Sequence, residues 1–221
     1  MSQSLCRARG SLRSSPAFTL VELMAVIGII ALLAVVGVPA MKGLTGSGGR
    51  KQALSQLLGA LEIARNTAIS TGANAAVIFP DTTSDTAFGG AQNPYRYRSM
   101  AVVSWNATNS SNNTMVGPWI VLPQGIAFFP KSIAALPTGT NISVKILTAN
   151  GASNFKTIIF QSDGALCETV TPFPTNGIAI FEGTVTPGST TTNGTSRMTN
   201  FETVRLTRYT GRAIPTLAPA P

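Results

Sequence analysis

One carboxylate stands at the edge of the longest apolar segment in the chain. Glu22 precedes residues 23–41, which contain no Asp, Glu, Lys or Arg. As a helix, this segment approaches the thickness of a bilayer's hydrocarbon core, about 30 Å. A carboxylate there is costly and usually marks function by pairing with a cation. Because Arg13 lies far upstream, beyond Pro16, the natural partner is an amino group created by cleavage just before Phe18.

The residues around Glu22 resemble a known processing site. Ala17, Phe18 and the letters TLVE, followed by a long apolar run, resemble the cleavage site of type IV prepilins and type II secretion pseudopilins. The resemblance implies that a prepilin peptidase cleaves between Ala17 and Phe18 and methylates the Phe18 amine. It also implies that Glu22 meets this amine in a neighbouring subunit during assembly and that Pro39 kinks the helix. The family usually has Gly before the cleavage site, so Ala17 predicts slower or equal cleavage.

Two other interpretations of this segment stay open. A secretory signal peptide would also have a basic start, but its apolar region is about 7 to 15 residues long, shorter than this one. A plain single-pass anchor would need neither Glu22 nor the letters before it. The three arginines of residues 1–17 predict that the amino terminus stays on the cytoplasmic side of the membrane and that the rest of the chain faces outward.

Later segments extend the resemblance over most of the chain. Residues 57–79, 157–164 and 204–212 resemble the H-type minor pseudopilins of type II secretion and their FimT-like pilus counterparts, the GspH/FimT family. This implies a pilin-like fold, a bacterial inner-membrane location, and a head in the periplasm or outside the cell. The implied partners are other pilins or pseudopilins and the prepilin peptidase. Residues 81–118 have no counterpart and are interpreted as a variable insertion or loop region.

Positive charge after the leader is concentrated near the carboxyl end, at Arg197, Arg205, Arg208 and Arg212. Arginines beside an aromatic residue such as Tyr209 can contact phosphates and stack on bases. Arg205, Arg208 and Arg212 are therefore candidate DNA contacts, and a DNA-binding minor pilin for DNA uptake is the alternative function. Related DNA-binding proteins have a second arginine where this chain has Ile214. On one strand, Arg205 and Arg208 would also face opposite sides. The favoured interpretation is therefore that they keep a sheet edge solvated.

Composition argues against an enzyme and a metal site. The chain has no histidine, the usual base for a serine nucleophile, and eight acidic residues among 221. Cys6 would leave with the leader, so Cys167 would be the single cysteine of the mature chain, which leaves no Cys and His set for a metal. The sequence predicts no cofactor, no catalytic residue and no metal ligand. Sixteen cationic residues less the leader's three leave thirteen against eight acids, a moderate net charge near +5.

The elements that position these residues follow from the apolar pattern. Residues 42–50 contain four glycines and predict a flexible joint, because each glycine in a helix costs about 1 kcal/mol relative to alanine. Residues 51–72 have helical periodicity and end at Gly72, a carboxyl-terminal cap. The predicted apolar face of this helix consists of Leu54, Leu57, Leu58, Leu61, Ala64 and Ala68.

Apolar runs separated by turn residues predict a strand-rich remainder. The predicted strands are 75–79, 101–105, 119–122, 126–129, 142–146, 157–160, 178–181 and 204–208. A helix followed by strands predicts an α+β fold, with an amphipathic helix packed on an antiparallel sheet. The resulting organisation is a basic leader (1–17), a transmembrane assembly helix (18–41), a glycine-rich joint (42–50), the amphipathic helix (51–72) and a β-rich head (73–221).

Overall fold

The structure is a computed structural model that describes residues 19–88, 90, 93–106, 113–146, 149–167, 177–194 and 200–219, without the side chains of residues 34–47 and of several other short segments. The chain divides into two compact units, Met1–Gly43 and Leu44–Pro221. The predicted leader, residues 1–17, lies outside the described residues.

The first element is one long helix, α1, which spans Leu20–Thr71. The predicted break at residues 42–50 is wrong for the backbone, since these residues are helical and belong to α1. The predicted helices 18–41 and 51–72 are therefore parts of a single element. The division between the two compact units nevertheless falls within this stretch, between Gly43 and Leu44.

Close packing at the end of the glycine-rich stretch explains why it is not a free joint. Gly49 is buried, and a Cβ atom added to it would lie 3.3 Å from Cγ1 of Ile126. The next residue, Arg50, forms an ion pair with Glu182 (Nε to Oε1, 2.8 Å) and lies 4.0 Å from Glu202. Glycine here permits a close approach of the helix to its neighbours, and these contacts offset its low helix propensity.

The second half of α1 buries the predicted apolar face. Leu57, Leu61, Ala64 and Ala68 are at most 1% exposed, and Leu54 and Leu58 pack on the same cluster while partly buried. The periodicity did not select Ala53 and Ala60, which are also buried. The helix ends where predicted, because Gly72 has a φ of +64°, which terminates a right-handed helix.

Within the described residues, ten strands follow α1, together with a 3-10 helix at Thr82–Phe88 and a short helix, α2, at Pro130–Ala134. The strands are β1 Ala75–Phe79, β2 Ser99–Ser104, β3 Ile120–Val121, β4 Ile126–Phe128, β5 Thr138–Ile146, β6 Ala149–Phe160, β7 Ile178–Val185, β8 Thr192–Gly194, β9 Asn200–Leu206 and β10 Ala213–Pro219. All eight predicted strands coincide with one of these. The 3-10 helix, α2, β8 and β10 were not predicted.

The strands form two antiparallel sheets, which confirms the α+β class and adds a second sheet to the predicted one. The first has the order β3-β2-β1-β6-β5, and the second β10-β9-β7-β4, with β8 paired to β7. Residues of α1 and of both sheets share the largest buried cluster, which includes Leu57, Phe79, Phe128, Ile180 and Val204. The helix therefore packs against both sheets, and the core of the second unit lies along its apolar face.

The central strand of the first sheet, β1, is buried on both faces. Ala75, Val77 and Phe79 join the cluster around α1, whereas Ala76 and Ile78 belong to a second cluster on the opposite face. This second cluster includes Phe88 from the 3-10 helix. Residues 81–118 are therefore more than the predicted insertion or loop region, because they supply β2 to the sheet and an aromatic cover to its outer face.

Candidate functional site

The predicted assembly carboxylate, Glu22, lies in the first turn of α1 and caps it. The Thr19 hydroxyl donates to Oε2 of Glu22 at 3.2 Å, and the Glu22 amide donates to the Thr19 hydroxyl at 3.2 Å. The Thr19 amide completes the arrangement by donating to the same carboxylate oxygen at 3.4 Å. This reciprocal pattern is a capping box, in which the side chains satisfy amide groups that the helix leaves unpaired.

The capping box gives Glu22 a structural role that sequence reasoning missed, although Thr-x-x-Glu is its ordinary signal. Within the part of the chain that the structure describes, no cationic side chain lies within ion-pair distance of Glu22. The predicted cleavage site, Ala17 and Phe18, lies outside the described residues. The pairing of Glu22 with an amine therefore stays a prediction.

The first turns of α1 expose apolar side chains around the whole helix. Every residue from Leu20 to Leu33 is exposed. The large apolar side chains range from 48% exposed at Val26 to 75% at Leu20. A helix that is apolar on all sides is normally covered by lipid or by other protein.

Within the described residues, no helix offers a stretch that is long and apolar enough to span a membrane. The predicted transmembrane segment continues through residues 34–41, whose side chains lie outside the described part. Pro39 is one of these residues, and its backbone belongs to α1.

The three candidate DNA contacts lie on one hairpin, formed by β9, β10 and the turn between them. Arg205 is on β9 opposite Ile214, Arg208 is in the turn, and Arg212 closes it. The Arg212 carbonyl accepts hydrogen bonds from both the amide and the hydroxyl of Thr207. All three arginine residues are exposed.

The sequence analysis placed Arg205 and Arg208 on one strand and at a sheet edge, and both expectations were wrong. Arg208 does not share a strand with Arg205, because β9 ends at Leu206. Arg205 also does not lie on a sheet edge, since β9 pairs with β7 on one side and with β10 on the other. The Arg208 guanidinium lies 5.6 Å from the ring centroid of Tyr209, which is 79% exposed. This distance suits a cation–π contact at the surface.

The hairpin turn packs against the end of β6, so the two late segments of the resemblance touch. The Leu166 amide donates to the Arg208 carbonyl at 2.9 Å. Gly211 has a φ of +61°, and a Cβ atom there would lie 2.1 Å from the Gly164 carbonyl oxygen. Only glycine fits this position, because both the backbone conformation and the space exclude a side chain. The turn is therefore fixed to the body of the second unit.

A second group of arginines escaped sequence reasoning. Arg96 and Arg98 line a cavity beside the end of β7. The signal that could have found them is the alternation Arg96-Tyr97-Arg98 directly before an apolar strand, in a stretch that was interpreted as an insertion. The described residues include no group of three or more His, Cys, Asp or Glu side chains that could hold a metal ion.

Comparisons of the chain with protein-family models, with curated proteins and with solved structures found no match.

Proposed function

We propose that the chain is a minor pilin or pseudopilin, a structural subunit of a type IV pilus or a type II secretion pseudopilus rather than an enzyme. Its fold would be pilin-like, with the first half of α1 as the assembly helix and the second unit as the head. The subunit would reside in the bacterial inner membrane before assembly, with its head in the periplasm, and would be processed by a prepilin peptidase.

The exposed apolar helix from Leu20 to Leu33 is the observation that carries this proposal. Its side chains have no cover within the described chain, and burying each large one is worth about 1.5 to 3 kcal/mol. Lipid would cover this surface in the membrane, and the helices of neighbouring subunits would cover it in a fibre. The helix of the second unit, by contrast, is covered on its apolar face by the two sheets.

The position of Glu22 supports the same proposal. It lies at the amino end of the apolar surface, within one turn of the predicted new terminus, where a neighbouring subunit's amine could replace the intramolecular contact with Thr19. The new contact would join two opposite charges, the carboxylate and the ammonium group, whereas both Thr19 donors that it would replace are neutral.

Processing tests the proposal directly. When the chain is produced together with a prepilin peptidase, we expect intact-mass analysis to show a product that begins at Phe18 and carries one methyl group on its amine. A peptidase with an inactivated catalytic site should leave the full 221-residue chain. A product that begins near Met41 would instead support a secretory signal peptide, and an unprocessed chain with the active peptidase would support a plain anchor.

The exposed arginine hairpin favours a second candidate, a DNA-binding minor pilin for DNA uptake. Arg205, Arg208 and Arg212 are exposed on one hairpin together with Tyr209, a combination that suits contacts to phosphates and bases. A fixed turn would hold Arg208 and Arg212 ready for such contacts. The absence of the second arginine of the resembled motif, at Ile214, weighs against this candidate.

A gel-shift series separates the two candidates. For the purely structural subunit we expect the full chain in mild detergent to give no shift of a short DNA duplex, even at low salt. DNA binding would instead weaken steeply as salt rises and would disappear in the double variant Arg208→Ala, Arg212→Ala. Lys131→Ala is the matched control, because Lys131 is also exposed but lies on α2.

A further inference from the structure

A cavity of about 340 Å³ lies between the turn before β2 and the end of β7. Asn93, Arg96 and Arg98 line one side, and Thr184 and Thr186 line the other, with two prolines and a valine completing the wall. This volume lies within the usual range for small-molecule sites, about 300 to 1,000 Å³. None of the described lining residues is acidic, so the cavity presents cationic and neutral polar groups.

The two arginines are held differently. Arg96 is only 4% exposed, and its Nη1 donates to the Ser189 carbonyl at 3.3 Å, which ties it to the loop between β7 and β8. Nε of Arg98 is buried and has no hydrogen-bond partner within the described structure. A buried donor without a partner is costly, and native proteins leave few of them, so this atom requires an explanation.

The backbone between the two arginines has an unusual conformation. Tyr97 has a φ of +54°, which is uncommon for a bulky residue and costs about 1 to 2 kcal/mol. The flanking backbone is fixed, since the Tyr97 amide donates to the Pro80 carbonyl and the Arg98 carbonyl accepts from the Leu122 amide. Strain of this kind often accompanies a functional site. Here the strained residue, Tyr97, lies between two arginines that line the same cavity.

We propose that this cavity binds the phosphate group of a small soluble molecule, with Arg98 as a direct ligand and Arg96 as a supporting charge. A guanidinium presents its donors in a planar fork that matches phosphate oxygens. Two guanidinium groups balance the charge of a phosphate, which is about −1.5 to −2 at pH 7. The hydroxyl groups of Thr184 and Thr186 supply further donors from the opposite wall.

The shape of the site favours a small ligand over a nucleic-acid strand. Proteins that bind single strands use an extended basic groove with aromatic stacking platforms, whereas this is one compact cavity. Its arginines also belong to the turn before β2, not to the β9–β10 hairpin. The site is therefore independent of the DNA-binding candidate and of assembly through α1.

Thermal unfolding of the full chain in mild detergent tests the proposal, with sodium phosphate added at constant ionic strength. Because a ligand that binds the folded state raises the Tm, we expect a rise that saturates with phosphate. Arg98→Gln should weaken the apparent affinity about tenfold or more, since it removes a charged ligand. Lys131→Gln removes one exposed charge elsewhere and should behave like the wild type.

Two further measurements distinguish the ligand and guard against misfolding. Glycerol 3-phosphate compared with inorganic phosphate shows whether an ester or the free ion binds more tightly, and tighter binding of either supports the site. If Arg98→Gln is already unfolded in a chloride buffer without phosphate, Arg98→Lys is tested in its place. Broadening of the ³¹P resonance of phosphate then gives the affinity by a measurement that does not require unfolding the protein. Phosphate also stabilises proteins without a site. The proposal is therefore wrong if the rise in Tm does not saturate, or if no Arg98 variant weakens binding.

Discussion

Leu57→Ala is expected to lower the free energy of unfolding of the unit Leu44–Pro221 by about 3 to 5 kcal/mol. Leu57 is fully buried in the cluster that α1 shares with both sheets, so its truncation leaves a cavity as well as removing apolar contacts. Denaturant unfolding of the full chain in mild detergent, followed by circular dichroism, measures the loss.

The same helix supplies the control. Leu23→Ala removes the same atoms from a side chain that is 60% exposed, so the free energy of unfolding should change by no more than about 0.5 kcal/mol. Similar losses for the two variants would contradict the assignment of the α1 segments, because they would mean that Leu23 is also packed in the folded unit.

Periodicity predicted the second half of α1 well because one apolar face decides its packing. Leu57, Leu61 and Ala64 recur at helical spacing, and a core formed by two sheets can cover only such a face. The same reasoning failed at the glycine-rich stretch. Local propensity counts the cost of each glycine in a helix. It does not count a tertiary contact such as that of Gly49 with Ile126, where an added Cβ atom would be crowded at 3.3 Å.

Burial explains why β1 could be predicted from the sequence and β10 could not. β1 is a continuous apolar run because it is covered on both sides. β10 contains Pro215 and Pro219 and exposes Leu217. These features are typical of a loop, although an edge strand tolerates them. Strand order depends on contacts between distant segments, so the division into two sheets was not readable from local pattern.

The candidate sites also differ in whether the local sequence could reveal them. Glu22 could be found because it interrupts a uniform apolar pattern, and the hairpin arginines because they cluster in sequence. The arrangement of Arg96 and Arg98 depends on the positive φ of Tyr97 and on the distant loop that carries Ser189. No local rule brings the turn before β2 against the end of β7, so this cavity emerges only from the folded chain.

If the chain assembles into fibres as proposed, Glu22→Ala is expected to reduce its incorporation about tenfold or more, whereas Thr19→Ala should reduce it by about twofold at most. Each variant removes one half of the capping box, at a similar cost of about 1 kcal/mol in helix stability. Only Glu22→Ala removes the carboxylate that would pair with the Phe18 amine of a neighbouring subunit. Loss of a contact to a charged group reduces association about tenfold or more for each subunit that carries the variant.

Sheared fibres from cells that produce each variant, compared with the membrane fraction by immunoblot, measure incorporation. Intact mass must first show that both variants are cleaved before Phe18, so that a defect in assembly is not confused with one in processing. Glu22→Asp is the conservative control, because it keeps the charge on a shorter side chain and should restore part of the incorporation. If Glu22→Ala and Thr19→Ala are incorporated equally, Glu22 serves only to cap α1, and the pairing with a neighbouring amine is wrong.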